Sequence, residues 1–272
     1  MYKAIFIDLD GTLVNSNGKI SENTKQAIKQ TTDAGIQVII CSGRQRISAR
    51  KFKDECSTSK YLISANGAEI YDCDKEQVLF ESSIDTQTCV DLCDFAFKKN
   101  MVVKLNFGLG RTTNKPYEVE FYEMELKEEE TNEFLAKNKI TQILFGSENI
   151  EDMEKIQEII SEKSDIKIVN RFVWNVQDKH FFSIHVARPN VSKGNSMCGL
   201  CKLLKINMEE VVAVGDKWND VPMIEMAGLG VAMGNSAENV KNKADFVTDT
   251  NDEDGVANLI YKILAKNNEE LK

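Results

Sequence analysis

The sequence predicts an α/β protein, in which a Rossmann-like, doubly wound parallel sheet is interrupted by an inserted α+β domain. Short apolar runs that stop at small or polar turn residues recur in the first third of the chain and again in the last third. The middle third has a different order of helices and extended segments. Strands that alternate with helices are typical of parallel sheets, so we expect both ends of the chain to build one sheet.

In the first third, apolar runs predict strands at residues 3–7, 37–41 and 61–65. Ser21 is a suitable N-cap for a helix that ends near Gly35. The carboxyl ends of parallel strands meet at one edge of a sheet. The polar turns that follow these strands are therefore expected to lie together.

The middle third is expected to form the inserted cap domain, at residues 84–188, with residues 1–83 and 189–272 forming the core. Its acidic run at 123–130 is expected to be a solvated face or loop that leads into a helix. The other predicted elements of the cap are helices at 85–99 and 150–163 and extended segments at 101–107, 117–122, 141–145, 166–173 and 181–187. After the cap, we predict helices at 193–204, 221–227 and from 255 onward, and strands at 211–214, 229–232 and 245–247.

Composition narrows the class of protein. The 272 residues include 34 basic and 43 acidic ones, for a net charge of -9, which argues against nucleic acid or an anionic membrane as the main partner. No apolar run approaches the roughly 20 residues that cross a bilayer. Seven cysteines without a disulfide-framework spacing favour a reducing, cytoplasmic setting. With only two histidines, any metal is expected to have oxygen ligands.

Two carboxylates, Asp8 and Asp10, directly follow the first predicted strand, and Gly11 permits a sharp turn after them. Side chains two apart in an extended segment point the same way. Such a pair can bind a hard cation while one carboxylate attacks phosphorus and the other transfers protons. The alternative is an ordinary Asp-Gly turn.

Other polar groups follow later strands. Asp216 and Asp220 come after the strand at 211–214 and can complete a cation site with Asp8, although Asp220 is also a suitable helix cap. Ser42, which follows the second strand, is either a phosphate ligand or a plain N-cap. Lys193 lies at a helix start, where the macrodipole disfavours a cation unless an anion is held nearby; the alternative is a surface lysine.

Taken together, the motifs resemble those of the haloacid dehalogenase superfamily, and within it the Cof-type phosphatases with a large α/β cap. The ordered motifs are Asp8-Leu9-Asp10-Gly11-Thr12, Ser42-Gly43-Arg44, Ser192-Lys193-Gly194 and Gly215-Asp216 with Asn219-Asp220. The resemblance covers both core segments and implies an αββαβαββ order in the cap. One departure is His185, which stands where relatives usually carry an acid and is either a packed histidine or a change in contacts between cap and core.

The resemblance implies a role for each matching residue. Asp8 is implied to be the nucleophile that forms an aspartyl-phosphate, and Asp10 the general acid and base. The Asp8 carboxylate, the Asp10 backbone carbonyl and Asp216 are implied ligands of Mg²⁺. The implied phosphate-binding residues are Leu9, Ser42, Gly43, Lys193 and Asn219, and the implied supporting residues are Asp220 and Asn66.

The resemblance therefore implies a magnesium-dependent phosphatase for small phosphorylated metabolites, with the cap as a lid that excludes water. Sugar phosphates are the favoured substrates, and pyridoxal phosphate is the competing one. Two other functions stay open: a phosphosugar mutase, and a non-catalytic protein that binds phosphorylated metabolites. Transfer between sugar hydroxyls that depends on a bisphosphate activator would indicate the mutase, and tight binding without turnover would indicate the binding protein.

Overall fold

The computed structural model describes residues 1–108, 110–114, 123–176 and 179–270. The chain divides into two compact units, of which the first contains residues 1–80 and 192–272 and the second residues 81–191. In the described part, no helix combines the length and the apolar character that a membrane crossing requires.

The described residues form strands and helices that we number in chain order. The strands are β1 (Ala4–Ile7), β2 (Gln37–Cys41), β3 (Tyr61–Ser64), β4 (Glu69–Asp72), β5 (Gln77–Glu81), β6 (Val102–Phe107), β7 (Gly110–Thr113), β8 (Glu123–Glu125), β9 (Ile140–Ser147), β10 (Lys167–Val176), β11 (Lys179–Ala187), β12 (Val211–Gly215), β13 (Leu229–Ala232) and β14 (Phe246–Val247). The α-helices are α1 (Glu22–Asp33), α2 (Arg46–Cys56), α3 (Thr86–Lys98), α4 (Thr131–Lys137), α5 (Ile150–Ser161), α6 (Lys193–Leu204), α7 (Val221–Met226), α8 (Glu238–Lys241) and α9 (Gly255–Glu270).

The first unit is built on a sheet with the strand order β14-β13-β12-β1-β2-β3-β4-β5. The strands from β14 to β3 are parallel, and β4 pairs with β3 in the antiparallel direction. β1 lies between β2 and β12, so that the chain's N-terminal strand is central. The predicted α/β fold with a parallel sheet is therefore confirmed.

Helices cover both faces of this sheet, because successive side chains of a strand point to opposite faces. Ile5 and Ile7 of β1 belong to an apolar cluster that also contains residues of α1 and α9. Ala4 and Phe6 belong to a second cluster with residues of α6 and α7. All four β1 side chains are fully buried, which explains why this strand reads as a continuous apolar run.

The second unit has a sheet of its own, with the strand order β10-β11-β9-β6-β7-β8. Its neighbouring strands are antiparallel, except for the parallel pair of β7 and β8. In β6, Val103, Leu105 and Phe107 pack in an apolar cluster with residues of α3, α4 and α5. The alternate residues Lys104 and Asn106 therefore lie on the opposite face.

Some elements were not predicted, namely α2, β4, β5, β7 and α8. In α2 only Ala49 and Cys56 are buried, which gives no helical apolar pattern to detect. The acidic run at 123–130 is not a simple loop, because β8 and a 3₁₀ turn at Glu128–Glu130 form within it. β8 also adds a strand to the cap order implied by the family. The extended segment predicted at 117–122 lies outside the described residues.

Candidate active site

The candidate site lies in the first unit, where β1 and β12 end side by side. Asp8 is the first residue after β1, and its backbone N–H donates a hydrogen bond to the Val214 carbonyl in β12 at 3.1 Å. Asp216 is the first residue after β12. Because the strands are parallel and paired in register, these two carboxylates are delivered to the same edge of the sheet.

Lys193 is the cation at the centre of this edge. It is the first residue of α6, follows the N-cap Ser192, and is only 1% exposed. Its Nζ donates to Asp8 Oδ1 and to Asp220 Oδ1, each at 2.5 Å. The two carboxylates supply the negative charge that makes a buried lysine tolerable at a helix N-terminus. The surface-lysine alternative is therefore wrong.

Asp220 uses both of its oxygens for structural bonds. Oδ1 accepts from Lys193, and Oδ2 accepts the backbone N–H groups of Asp216 and Lys217 at 3.1 and 2.9 Å. Asp220 is completely buried. It therefore fixes both the lysine and the loop after β12, instead of capping α7 through its side chain.

Three buried carboxylates converge here, and each of Asp8, Asp216 and Asp220 offers an oxygen within 4.8 Å of those of the others. Burial, together with the charge on Asp220, raises the pKa of Asp8 to about 7, although Lys193 opposes the shift. Burial also raises the pKa of Asp216. Buried like charges of this kind fit a hard divalent cation, which prefers carboxylate and carbonyl oxygens.

The turn after Asp10 brings the chain against Asp216. Gly11 has a φ of +91°, and a Cβ there would collide with the Asp216 carboxylate. Thr12 Oγ1 donates to Asp216 Oδ1 at 3.2 Å. The glycine is thus required for its backbone conformation and for its lack of a side chain.

Asp10 is contacted by two cations at two different groups. Arg44 binds its carboxylate through both oxygens, with Nε to Oδ2 at 2.7 Å and Nη2 to Oδ1 at 2.5 Å. Lys217 Nζ donates to the Asp10 backbone carbonyl at 2.7 Å. Partial burial acts to raise the pKa of Asp10, but Arg44 and then Lys217 outweigh it and hold the pKa below its usual value.

The other predicted phosphate-binding residues line the neighbouring loops. Ser42 does not cap α2, whose N-cap is Gln45; instead its Oγ accepts the Arg44 N–H at 3.1 Å. Asn66, in the left-handed region with a φ of 57°, accepts from Asn219 Nδ2 at 2.9 Å.

Leu9 and Gly43 complete the predicted set. Leu9 is fully buried, and its carbonyl accepts the Val14 N–H at 2.9 Å. A Cβ on Gly43 would lie 3.0 Å from Asn66 Oδ1, so Gly43 is next to the pair formed by Asn66 and Asn219. The structure thus brings all ten residues that the sequence selected to one edge of the sheet, in the segments that follow its strands and at the start of α6.

Three contacts were missed by the sequence reasoning. The motif containing Arg44 was noticed, but its bidentate bond to Asp10 was not foreseen. Lys217 and Thr12 were given no role. The sequence did contain a signal for Lys217, because it directly follows the candidate metal ligand Asp216, and a positively charged residue is unexpected next to a cation site.

His185 belongs to β11 in the second unit and is partly buried. Its neighbours Ile184 and Val186 pack in the apolar cluster of that unit, so His185 points to the other face of the sheet. Burial, Arg111 and Lys104 lower the pKa of His185 to about 4. The imidazole is therefore neutral near pH 7 and does not replace the charge of an acid.

Comparisons with known proteins indicate the family. A family model described as haloacid dehalogenase-like hydrolase matches residues 5–260. The 5-amino-6-(5-phospho-D-ribitylamino)uracil phosphatase YcsE of Bacillus subtilis is 33% identical over 258 residues, which cover 95% of this chain and 94% of the relative. The putative phosphatase YxeH of the same organism is 30% identical over 279 residues, with coverage of 98% and 100%. A haloacid dehalogenase-like hydrolase structure from Bacteroides thetaiotaomicron has a TM-score of 0.76 and 26% identity, and covers 97% of this chain and 100% of that one.

Proposed function

This chain belongs to the haloacid dehalogenase-like hydrolases and is a phosphoric monoester hydrolase, and we propose that it is magnesium-dependent and acts through an aspartyl-phosphate on Asp8. The observation that carries the proposal is the buried arrangement of Lys193 between Asp8 and Asp220, with Asp216 beside them. It combines a nucleophile, a fixed cation and oxygen ligands at one sheet edge. Phosphoryl transfer depends mainly on such positioning and charge neutralisation.

In the first step, an oxygen of Asp8 attacks phosphorus and the bond to the leaving oxygen breaks. Asp10 gives a proton to that oxygen, so the departing group leaves as an alcohol. Both oxygens of Asp10 are bonded to Arg44 in the structure. Proton donation therefore requires Arg44 to release at least one of them, which also weakens its lowering effect on the Asp10 pKa.

In the second step, Asp10 removes a proton from water, the water oxygen attacks phosphorus, and the bond between phosphorus and Asp8 breaks. Lys193, Ser42 and Asn219 hold the phosphoryl oxygens through both steps, with the backbone N–H groups of Leu9 and Gly43. Asp220 keeps Lys193 in place. Asn66 orients Asn219 through their 2.9 Å hydrogen bond.

The metal ligands in this proposal are the Asp8 carboxylate, the Asp10 backbone carbonyl and Asp216. The cation, when bound, neutralises the charge of the phosphoryl group and orients it for in-line attack. Thr12 holds the Asp216 carboxylate by its hydrogen bond, and Gly11 leaves room for that carboxylate because it has no side chain. Because Asp220 has both oxygens occupied, it supports the site without binding the metal.

For the substrate, we favour a small phosphorylated metabolite with a primary phosphate on a sugar or sugar alcohol. A relative that matches nearly the full length is named for a phosphoribitylamino-uracil, which has such a phosphate. Pyridoxal phosphate is the comparison substrate, since its primary phosphate is on a hydroxymethyl group attached to an aromatic ring instead.

The test is phosphate release from a panel containing hexose phosphates, ribitol phosphate, 5-amino-6-(5-phospho-D-ribitylamino)uracil and pyridoxal phosphate. Wild type, Asp8→Asn and Asp33→Asn are assayed with Mg²⁺ and with EDTA. Asp33 is an exposed acid of α1, so its variant makes the same chemical change away from the site. We expect turnover only with Mg²⁺, retained in Asp33→Asn and lost in Asp8→Asn. Equal turnover in Asp8→Asn would refute the nucleophile, and phosphate transfer without release would indicate a mutase.

A further inference from the structure

Lys217 contacts the acidic site through an exposed side chain. Its Nζ lies 2.7 Å from the Asp10 carbonyl oxygen and 3.5 Å from Asp216 Oδ2. The Lys217 side chain is 60% exposed, whereas its backbone N–H is fixed to Asp220 Oδ2. A flexible cation thus reaches two oxygens from a fixed point of the loop.

These two oxygens are ligands of the metal in the proposed function. We propose that Lys217 is a tethered competitor of the divalent cation: its ammonium group occupies this position in the metal-free protein and must withdraw when the metal binds. This inference rests on the proposed metal site, which it deepens by naming the residue that controls how tightly the site binds the ion.

Distances show why the metal ion and the Lys217 ammonium group cannot occupy this position together. A magnesium ion lies about 2.1 Å from an oxygen ligand. Because Lys217 Nζ is 2.7 Å from the Asp10 carbonyl oxygen, an ion on the same oxygen would be at most about 4.8 Å from the ammonium nitrogen. If the ammonium group stayed, repulsion between the divalent and the monovalent cation at that separation would weaken metal binding about tenfold, even at the dielectric constant of water.

Withdrawal is possible because of where the side chain lies. Lys193, the other lysine of the site, is 1% exposed and bound to two carboxylates, so it stays. Lys217 can turn into solvent without burying its own charge, since its side chain is largely exposed, and the incoming metal replaces it beside Asp216. Until then it offsets part of the negative charge of the three buried carboxylates.

The test compares Lys217→Met with Lys29→Met. Lys29 pairs with Asp33 on the surface of α1. Both substitutions therefore replace a lysine by methionine and remove one positive charge, but only Lys217→Met does so at the site. Magnesium binding to metal-free protein is measured by isothermal titration calorimetry. Thermal unfolding in EDTA is recorded alongside, and Lys217→Gln provides a second variant that keeps a polar side chain.

We expect Lys217→Met and Lys217→Gln to bind Mg²⁺ about tenfold more tightly than wild type, because the ion no longer has to displace the Lys217 hydrogen bond to the Asp10 carbonyl, with Lys29→Met unchanged. In EDTA, Lys217→Met should unfold at a lower temperature than Lys29→Met, and saturating Mg²⁺ should remove that difference. Equal or weaker binding in the Lys217 variants, with binding intact in wild type, would refute the competitor and leave the proposed function standing. Absence of Mg²⁺ binding in every variant would refute the metal site and this inference with it.

Discussion

Replacing Lys193 by methionine should destabilise the first unit more than any loss of a surface lysine. The substitution keeps most of the unbranched side chain but removes the ammonium group that lies between Asp8 and Asp220. Both carboxylates are buried, at 5% and 0% exposure, so water cannot take over the role of the ammonium group. The variant is left with two buried, closely spaced negative groups.

Removing one partner of a buried ion pair costs about 3–5 kcal/mol, whereas an exposed pair contributes about 0–1 kcal/mol. For a domain of 150–250 residues, 1 kcal/mol shifts the melting temperature by about 2–4 °C. The first unit, with residues 1–80 and 192–272, falls in that size range. Lys193→Met should therefore melt about 6–20 °C below wild type.

The assay is thermal unfolding near neutral pH in EDTA, with Lys29→Met as the control because its ion pair with Asp33 is exposed. Adding Asp220→Asn to Lys193→Met removes one of the two uncompensated charges. The free energy of unfolding of the double variant should thus be about 1–3 kcal/mol higher than the sum of the two single-variant losses predicts. A melting temperature for Lys193→Met equal to that of Lys29→Met would refute the assigned role of Lys193.

Two further predictions concern Asp8 and the turn beside it. The folded pKa of Asp8, about 7, lies above its unfolded value of about 3.9, so the stability linked to its proton is present at low pH and is lost as the pH rises through 7. In EDTA, Asp8→Asn should therefore melt above wild type at about pH 8, by a margin that shrinks as the pH falls and disappears only below the unfolded pKa. A less stable variant at the higher pH would contradict this. Gly11→Ala should weaken Mg²⁺ binding and abolish turnover by displacing Asp216. The control is Gly18→Ala, because Gly18 also has a positive φ but nothing lies within 4 Å of the added Cβ. Equal Mg²⁺ affinities in the two alanine variants would refute the collision.

The sequence was most informative where local pattern and burial coincide. β1, β2 and β12 are apolar runs whose residues are almost all buried on both faces of a parallel sheet, which is the condition that makes such strands recognisable. By contrast, α2 buries only two side chains, and β5 is largely exposed at the edge of its sheet. Elements with so little buried apolar surface leave no periodic signal, and tertiary pairing decides their structure.

The candidate site was predictable to the extent that strand ends determine it. Asp8 and Asp216 follow neighbouring parallel strands, so their proximity follows from topology. The contacts of long side chains could not be predicted in this way, because a flexible side chain reaches partners that residue spacing does not specify. The bond from Arg44 to Asp10, and that from Lys217 to the Asp10 carbonyl, are both of this kind.

The most direct test of the mechanism is a burst experiment with para-nitrophenyl phosphate and Asp10→Asn. Para-nitrophenolate leaves without protonation, so this variant should still transfer the phosphoryl group to Asp8 but hydrolyse the aspartyl-phosphate slowly. We predict release of one equivalent of para-nitrophenolate per site, followed by slow turnover. Borohydride reduction of the quenched protein should then convert Asp8 to homoserine. Turnover without a burst, or a burst that persists in a variant that also carries Asp8→Asn, would contradict the account.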